Sequence, residues 1–277
     1  MALWFDETFQ GRVRLSLPVR RSLFHGKSPY QTIDIVDTET YGPTLLLDSA
    51  YMTSVGDEYF YHEMLVHPAL TTAPAISRVL VIGGGDGGTV REVLRYREVV
   101  KVTMCEIDQM VTEACKEHLS AFGVPWNDPR LDLRFGDGVA FLRDYAGEPF
   151  DVILIDGSDP VGPAEGLIAG SFYESCKKRL APSGVMALQS EAPHLMREDF
   201  LRIVRTLRGV FPRVHPYFGP VPIYPSGSWS WTFASTGVDP LTARDDRLAQ
   251  IEPACRYYSR EIHRAAFAVP ADLKRAL

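Results

Sequence analysis

Cysteine is scarce and scattered in this chain. Cys105, Cys115, Cys176 and Cys255 are its only four, and they form no CxxC pair and no cluster with the seven histidines. Neither a zinc-ligand set nor a disulfide framework can be read from them, so the expectation is packed, reduced thiols and no metal. Positive charge is short as well: 29 Lys and Arg against 35 Asp and Glu leave a formal net charge of −6. That balance argues against a nucleic-acid surface, which needs clustered Lys and Arg to meet phosphates. No stretch approaches the ~18 apolar residues of a membrane span. The opening MALWFDETFQGRVRL carries acids before any apolar run, unlike a signal peptide. Repeats and low-complexity tracts are missing. The expectation is a soluble, cytoplasmic protein that binds neither membranes nor nucleic acid.

What is present is an ordinary globular composition, 45% hydrophobic and 23% charged over 277 residues, enough to bury a sizeable core. Two patterns follow one another. RVRLSL, YQTIDIVDT and YGPTLLLD are short, closely spaced strand signals, which predicts a small antiparallel β domain over residues 1–60. From about residue 77, apolar strands alternate with helices: RVLVIG then TVREVLRY, KVTMCEID then QMVTEACKEHL, followed by LDLRFGD, FDVILID, SFYESCKKRL and GVMALQS. Such alternation predicts an α/β second unit over 61–277, with right-handed crossovers and a mostly parallel sheet. FPRVHPYFGPVPIYPSG, residues 211–227, reads as a long Pro-rich loop near the site.

In a sheet of this kind ligands bind beyond the carboxyl ends of the strands. Those ends read GGGDGG, CEID, GDG and DGSDPVGPAE, and every one carries a carboxylate. Gly83, Gly85 and Gly88 satisfy GxGxxG, a pattern shared by dinucleotide-binding and methyltransferase-like folds. Glu106, ending the next strand, suits a ribose diol. Asp86 separates the two: a pyrophosphate on that loop would meet a like charge at close range, whereas a cation would be welcomed. S-adenosylmethionine has a sulfonium and an amine but also a carboxylate, and its decarboxylated form fits better. Asp86 also reads as a helix cap.

These residues resemble a known family, the polyamine aminopropyltransferases, and within it the spermidine synthases. The resemblance is carried by Tyr30-Gln31, Tyr41-Gly42, LLLD at 45–48, DEYFYHEM at 57–64, GGGDGG, CEID, GDG, DGSDPVGPAE at 156–165, PIYPSG at 222–227 and the tail CRYYSREIHRAAFAVP. It spans nearly the whole chain. It implies a small N-terminal antiparallel β domain on a Rossmann-like, methyltransferase-type catalytic domain, assembled as a homodimer or homotetramer. It further implies transfer of an aminopropyl group from decarboxylated S-adenosylmethionine, as co-substrate, to putrescine, with no permanently bound cofactor. Asp156, Tyr61 and Asp159 would be catalytic. Gln31, His62, Gly83, Gly85, Asp86, Glu106, Asp137, Gly138 and Pro163 would hold the nucleoside and its arm. Tyr61, Asp156, Asp159, Gln189 and Tyr224 would bind the acceptor, under a gate segment spanning 157–170.

Several of these residues also have structural readings. His62 and Tyr61 fit core packing on an apolar helix face, and Asp156 and Asp159-Pro160 fit turns. Glu198-Asp199 reads as a solvated helix start. The chain departs from the family pattern LDGxxQxTE, reading LDSAYMTSV: Ser49, Met52 and Val55 replace Gly, Gln and Glu. DGSDP likewise stands where DSSDP is common. These changes leave cadaverine, agmatine or spermidine open as acceptors. A methyltransferase using intact S-adenosylmethionine and a non-catalytic nucleoside-binding protein are the readings outside the family.

Overall fold

The computed structural model describes residues 3–9, 11–159 and 162–277, the Pro163 side chain excepted. Strands β1 (Leu3–Phe9), β2 (Val13–Lys27), β3 (Thr32–Thr38), β4 (Gly42–Leu47) and β5 (Ala50–Ser54) pair antiparallel in chain order. The sequence signal RVRLSL marks only the start of β2, which runs on through register shifts at Val19/Arg21 and Ser22/Phe24. Those irregularities bend a strand too long to stay flat. Outside the ladder, Tyr51 donates from its hydroxyl to Phe5 O (2.9 Å) and from its amide to Glu7 Oε2 (2.9 Å). The sheet thereby curls, and β1 comes round against β5.

Helix α1 (Glu58–Thr72) leads into the second unit. There β6 (Arg78–Gly83), α2 (Gly88–Leu94), β7 (Lys101–Glu106), α3 (Gln109–His118), β8 (Leu131–Phe135), α4 (Gly138–Asp144), β9 (Phe150–Asp156), α5 (Gly170–Arg179), β10 (Leu180–Gln189) and α6 (Arg197–Val210) alternate. Strands β11 (Arg213–Pro220) and β12 (Ser228–Ser235) follow, then α7 (Asp245–Ile251), α8 (Arg260–Ala266) and α9 (Ala271–Ala276). The sheet order is β11-β12-β10-β9-β6-β7-β8, parallel from β10 to β8 and antiparallel at β12 and β11.

The apolar runs RVLVIG and FDVILID are buried on both faces, as parallel strands must be. Val79, Val81, Val152 and Leu154 point into one core with Leu65 and Leu70 of α1 and Val93 of α2. Leu80, Ile82, Ile153 and Ile155 point into the other, against Leu142, Phe172 and Ile203 of α4, α5 and α6. A third cluster sets Ile33, Ile35 and Leu45 of the N-terminal sheet against Val111 and Ala114 of α3, so the two units share a packed boundary. Helix α6 starts at Arg197 with Glu198 and Asp199 in its first turn, as expected.

The segment 211–227 is not one long loop. Its first half is β11, paired along its length with β12. Prolines 216 and 220 obscured it, yet β11 is the edge of the sheet, where a strand can lose amide donors on its open side without breaking the ladder. Only 211–212 and 221–227 are loop.

The turn between β4 and β5 places Asp48 (φ 47°) and Ser49 (φ 70°) in the left-handed region. A Cβ at Ser49 is unfavourable there. Ser49→Gly is therefore expected to stabilise the protein by about 0.5–1 kcal/mol. The readout is a higher urea midpoint at unchanged slope. An unchanged or lower midpoint contradicts it.

Candidate active site

The chain turns from β6 into α2 through GGGDGG. Gly83 has φ +81°, and a Cβ on it would lie 2.1 Å from the Asp156 carbonyl oxygen. Only glycine lets the ends of β6 and β9 meet this closely, and Gly84 N then donates to Asp156 O (2.9 Å). A Cβ on Gly88 would lie 2.2 Å from the His62 ring, so the third motif glycine makes room for that histidine. Around these ends lies a cavity of about 490 Å³, into which Asp86, Glu106, Asp137, Asp156 and Asp159 all project. Four strands far apart in sequence thus deliver their carboxylates to one space.

At one end the cavity is lined by Gln31, Gly85, Glu106, Asp137 and Gly138. Glu106 is buried, accepts the Asp108 amide (2.8 Å) and is pushed up to about 7 by burial. Asp137 caps α4 through Val139 N (2.8 Å). Gln31 crosses from the N-terminal sheet; its amide nitrogen donates to Asp108 (2.9 Å), and Ser28 donates to the same oxygen (2.6 Å).

In the middle stands Asp156, at the end of β9. Tyr61 donates to its Oδ1 (2.8 Å) and Thr89 to its Oδ2 (2.6 Å). Burial and the Asp86 carboxylate push its pKa up, while His62 and the two hydroxyls work the other way. Asp86 accepts Gly88 N (2.6 Å), as a cap would, and still faces both the cavity and His62 Nε2 at 3.3 Å. His62 is only 1% exposed, as the core reading has it, but its other nitrogen lies 2.7 Å from Glu58. Burial disfavours its charge, yet the two flanking carboxylates outweigh burial and hold it well above the ordinary histidine range. Arg91 grips Glu58 with both terminal nitrogens (2.8 and 2.7 Å).

The far end holds three acids. Asp159 and Glu191 lie together, and burial raises both, with Asp159 pushing Glu191 up further. Among the described residues Glu191 Oε2 is buried without a hydrogen-bond partner. Glu191 is also in the left-handed region, at φ 71°, a strain typical of functional sites. Glu7, from β1, lines the same space and is pushed up to about 7, chiefly by burial. Gln189 reaches the cavity with both ends of its amide engaged: it donates to Glu191 (2.8 Å) and accepts from the Glu191 amide (3.0 Å). Tyr224 donates its hydroxyl to Met52 O (3.0 Å). Met52 is the extra residue of a bulge between β4 and β5, which frees its carbonyl from the ladder and turns its side chain to the cavity. Val55 instead packs beside Ile33 and Leu45. Pro163 lies outside the described side chains. Of the segment 157–170, Gly157, Ser158, Asp159, Ala164 and Leu167 line the cavity.

Thr89, Glu7, Glu191, Asp108 and Arg91 were not anticipated. Thr89 directly follows GGGDGG and Glu191 stands two residues past Gln189, so both had a positional signal. Glu7 had none.

The spermine/spermidine synthase domain profile matches residues 58–245, and the spermidine synthase tetramerisation domain profile matches residues 3–54. The chain belongs to the spermine/spermidine synthase family. The chain is 48% identical over 280 residues to the polyamine aminopropyltransferase of Prochlorococcus marinus strain MIT 9313, covering 99% of this chain and 96% of that one. It is 38% identical to the enzyme of the same name from Clostridioides difficile strain 630, over 100% and 99% of the two chains. A crystal structure of spermidine synthase in complex with the transition-state analogue AdoDATO superposes with a TM-score of 0.96 at 37% identity, covering 99% of this chain and 94% of that one. Spermidine synthase from Thermotoga maritima gives 0.94 at the same identity and coverage. This family member is thus a transferase of the polyamine aminopropyltransferase type, and its N-terminal sheet is of the type through which the family assembles. Among the described residues no helix is long and apolar enough to cross a membrane.

Proposed function

We propose that the protein transfers the aminopropyl group of decarboxylated S-adenosylmethionine to putrescine, giving spermidine and 5′-methylthioadenosine. The observation that carries this reading is the carboxylate-lined cavity with Asp86 in the glycine loop: it suits a cationic nucleoside and repels a phosphate. Glu106, Asp137, Gly138 and Gln31 take the nucleoside, with Gly83 and Gly85 shaping its bed. Asp86 and His62 flank the aminopropyl arm. Asp156 and Tyr61 take the attacking amine, and Asp159, Glu191 and Glu7 the distant one, beside Gln189 and Tyr224.

The amine lone pair attacks the aminopropyl carbon bonded to sulfur. The C–S bond breaks, its electron pair goes to sulfur, and the sulfonium becomes a neutral thioether. Sulfonium is already a good leaving group, so alignment supplies most of the catalysis. The remaining task is to remove a proton from an amine that titrates near 10 in water, against about 4 for a carboxylate. Burial, which raises Asp156, and the neighbouring sulfonium, which lowers the amine, narrow that gap. The hydroxyl protons of Tyr61 and Tyr224 are already committed to Asp156 and Met52, so each offers only lone pairs, and those favour an N–H donor such as an ammonium group.

Residues 1–60 and 61–277 serve as working domains of a cytoplasmic homodimer or homotetramer whose partners are small molecules, not nucleic acid or membranes. A mixture of putrescine, cadaverine, agmatine and spermidine, given with decarboxylated S-adenosylmethionine and read by mass spectrometry, tests the reading. Spermidine with methylthioadenosine is expected. Met52 keeps the longer acceptors within the test, since a flexible apolar side chain suits methylenes of any number. A methylated amine from intact S-adenosylmethionine, with no aminopropyl product, would overturn the assignment.

The acids at the far end also set a pH dependence. They bind a cation when ionised, and Glu7 lies at about 7. The KM for putrescine is therefore expected to fall roughly tenfold between pH 6 and pH 8 as Glu7 ionises. Glu7→Gln flattens that profile. A wild-type KM that stays constant over this range contradicts it.

A further inference from the structure

Asp156 is held from behind as well as in front. Its Oδ1 accepts the Tyr61 hydroxyl at 2.8 Å, while Oδ2 is turned toward the first turn of α2 and takes the Thr89 hydroxyl at 2.6 Å. Thr89 is fully buried. Gly84 leaves space on this side, since a Cβ there would stand 3.0 Å from Oδ2. We propose that Thr89 is a positioning residue for the reaction: its hydroxyl occupies Oδ2, keeps the Asp156 carboxylate ionised, and leaves Oδ1 as the oxygen that meets the acceptor amine. The proposal rests on the reading of Asp156 given above.

The physical need for such a group lies in the surroundings. Asp86 faces Asp156 from the glycine loop, Glu106 from the end of β7 and Tyr224 from the 221–227 loop, and Tyr61 and His62 face it from α1. Two of these neighbours are carboxyl groups, and a buried carboxylate among carboxylates tends to take up a proton. A protonated Asp156 could neither hold an ammonium group nor accept its proton. An O–H donor at short range favours the charged form, and hydrogen bonds to charged groups are the stronger class. A carboxyl free to rotate would also present either oxygen, and misplacement of a reacting group is costly to rate.

Thr89→Val keeps the shape and removes the hydroxyl. Without that donor the Asp156 carboxyl protonates at higher pH, so activity that needs the ionised form is lost sooner as pH falls. The acidic limb of kcat at saturating putrescine, where the Glu7 effect on KM drops out, is expected to move up by about one pH unit, and kcat at pH 7 to drop roughly tenfold. The dissociation constant of methylthioadenosine should stay within about twofold, and Thr89→Ser should restore both the limb and kcat. An unmoved limb with normal kcat in Thr89→Val overturns the proposal. So does a Thr89→Ser enzyme as impaired as Thr89→Val, because packing and not the hydroxyl would then be at work. Asp156→Asn measured alongside separates the two readings. A crippled Asp156→Asn with an unaffected Thr89→Val removes only Thr89, whereas an active Asp156→Asn removes the role of Asp156 itself.

Discussion

Asp156→Asn is expected to lower kcat by a factor of about 10²–10⁴ while the dissociation constant of methylthioadenosine stays within about threefold. Asparagine fills the same space, so the losses are chemical: no charge to hold the ammonium group and no oxygen basic enough to take its proton. The amide also disturbs the hydroxyl clamp, since one of its two ends is an N–H donor facing a Tyr61 or Thr89 hydroxyl already aimed at an acceptor. Stability should move in the opposite direction. Burial and Asp86 both press against the Asp156 charge, and a neutral amide relieves that repulsion, so the unfolding midpoint is expected to rise slightly. Active sites commonly trade stability for function in this way. An Asp156→Asn enzyme with near-normal turnover would remove Asp156 from the chemistry.

Glu58→Ala is expected to destabilise the fold by about 3–5 kcal/mol, the range for removing one partner of a buried ionic pair. Glu58 is buried, yet His62 and Arg91 bring its pKa down to about 2 against burial. Its loss leaves the Arg91 guanidinium and the His62 ring without their shared carboxylate. His62 also loses the contact that orients it toward Asp86, so nucleoside affinity should fall along with stability. The pH dependence has a definite sign. A folded pKa below the unfolded value stabilises the protein at pH above the unfolded pKa, about 4.5, and that contribution is lost as pH falls toward about 2. It amounts to about 3 kcal/mol. Urea unfolding at pH 7 and pH 3 checks both statements. A loss below about 1 kcal/mol at pH 7 would mean that Glu92 and Asp86, which Arg91 and His62 already meet, suffice to hold their charges.

Much of the catalytic sheet was legible because its physics is local. Strands such as RVLVIG and FDVILID are buried on both faces, so they must be apolar throughout, and that leaves a mark in any sequence. The edge strand β11 escaped for the complementary reason: on the rim it tolerates Pro216 and Pro220, and those residues imitate a loop. Strand β1 and the far half of β2 escaped because they present polar residues on one face and bend, so neither a clean alternation nor an apolar run survives.

The site divides along the same line. Asp86 read as either a helix cap or a cation ligand, and the structure makes it a cap to Gly88 that still faces His62 and the cavity. His62 read as either core or site, and it is buried while lying between two carboxylates. Such pairs of readings were never exclusive, because one carboxylate has lone pairs enough for both tasks. Glu7 stayed invisible because the curl of the N-terminal sheet brings it to Asp159, and that curl is made by Tyr51 contacts between strands that are not neighbours in the ladder.

The sequence by itself determined the parallel sheet, the glycine turn and the carboxylate at each strand end, because burial, backbone torsion and turn chemistry act over a few residues. Only the tertiary structure decided which acids are pushed up or down in pKa, which lie against one another, and which hydroxyl is aimed at which oxygen. Those properties depend on desolvation and on partners brought from distant parts of the chain. Thr89 and Asp156 meet only because β6 and β9 lie side by side, and Glu191 is held well above the ordinary carboxyl range by burial and by Asp159, which the fold brings against it.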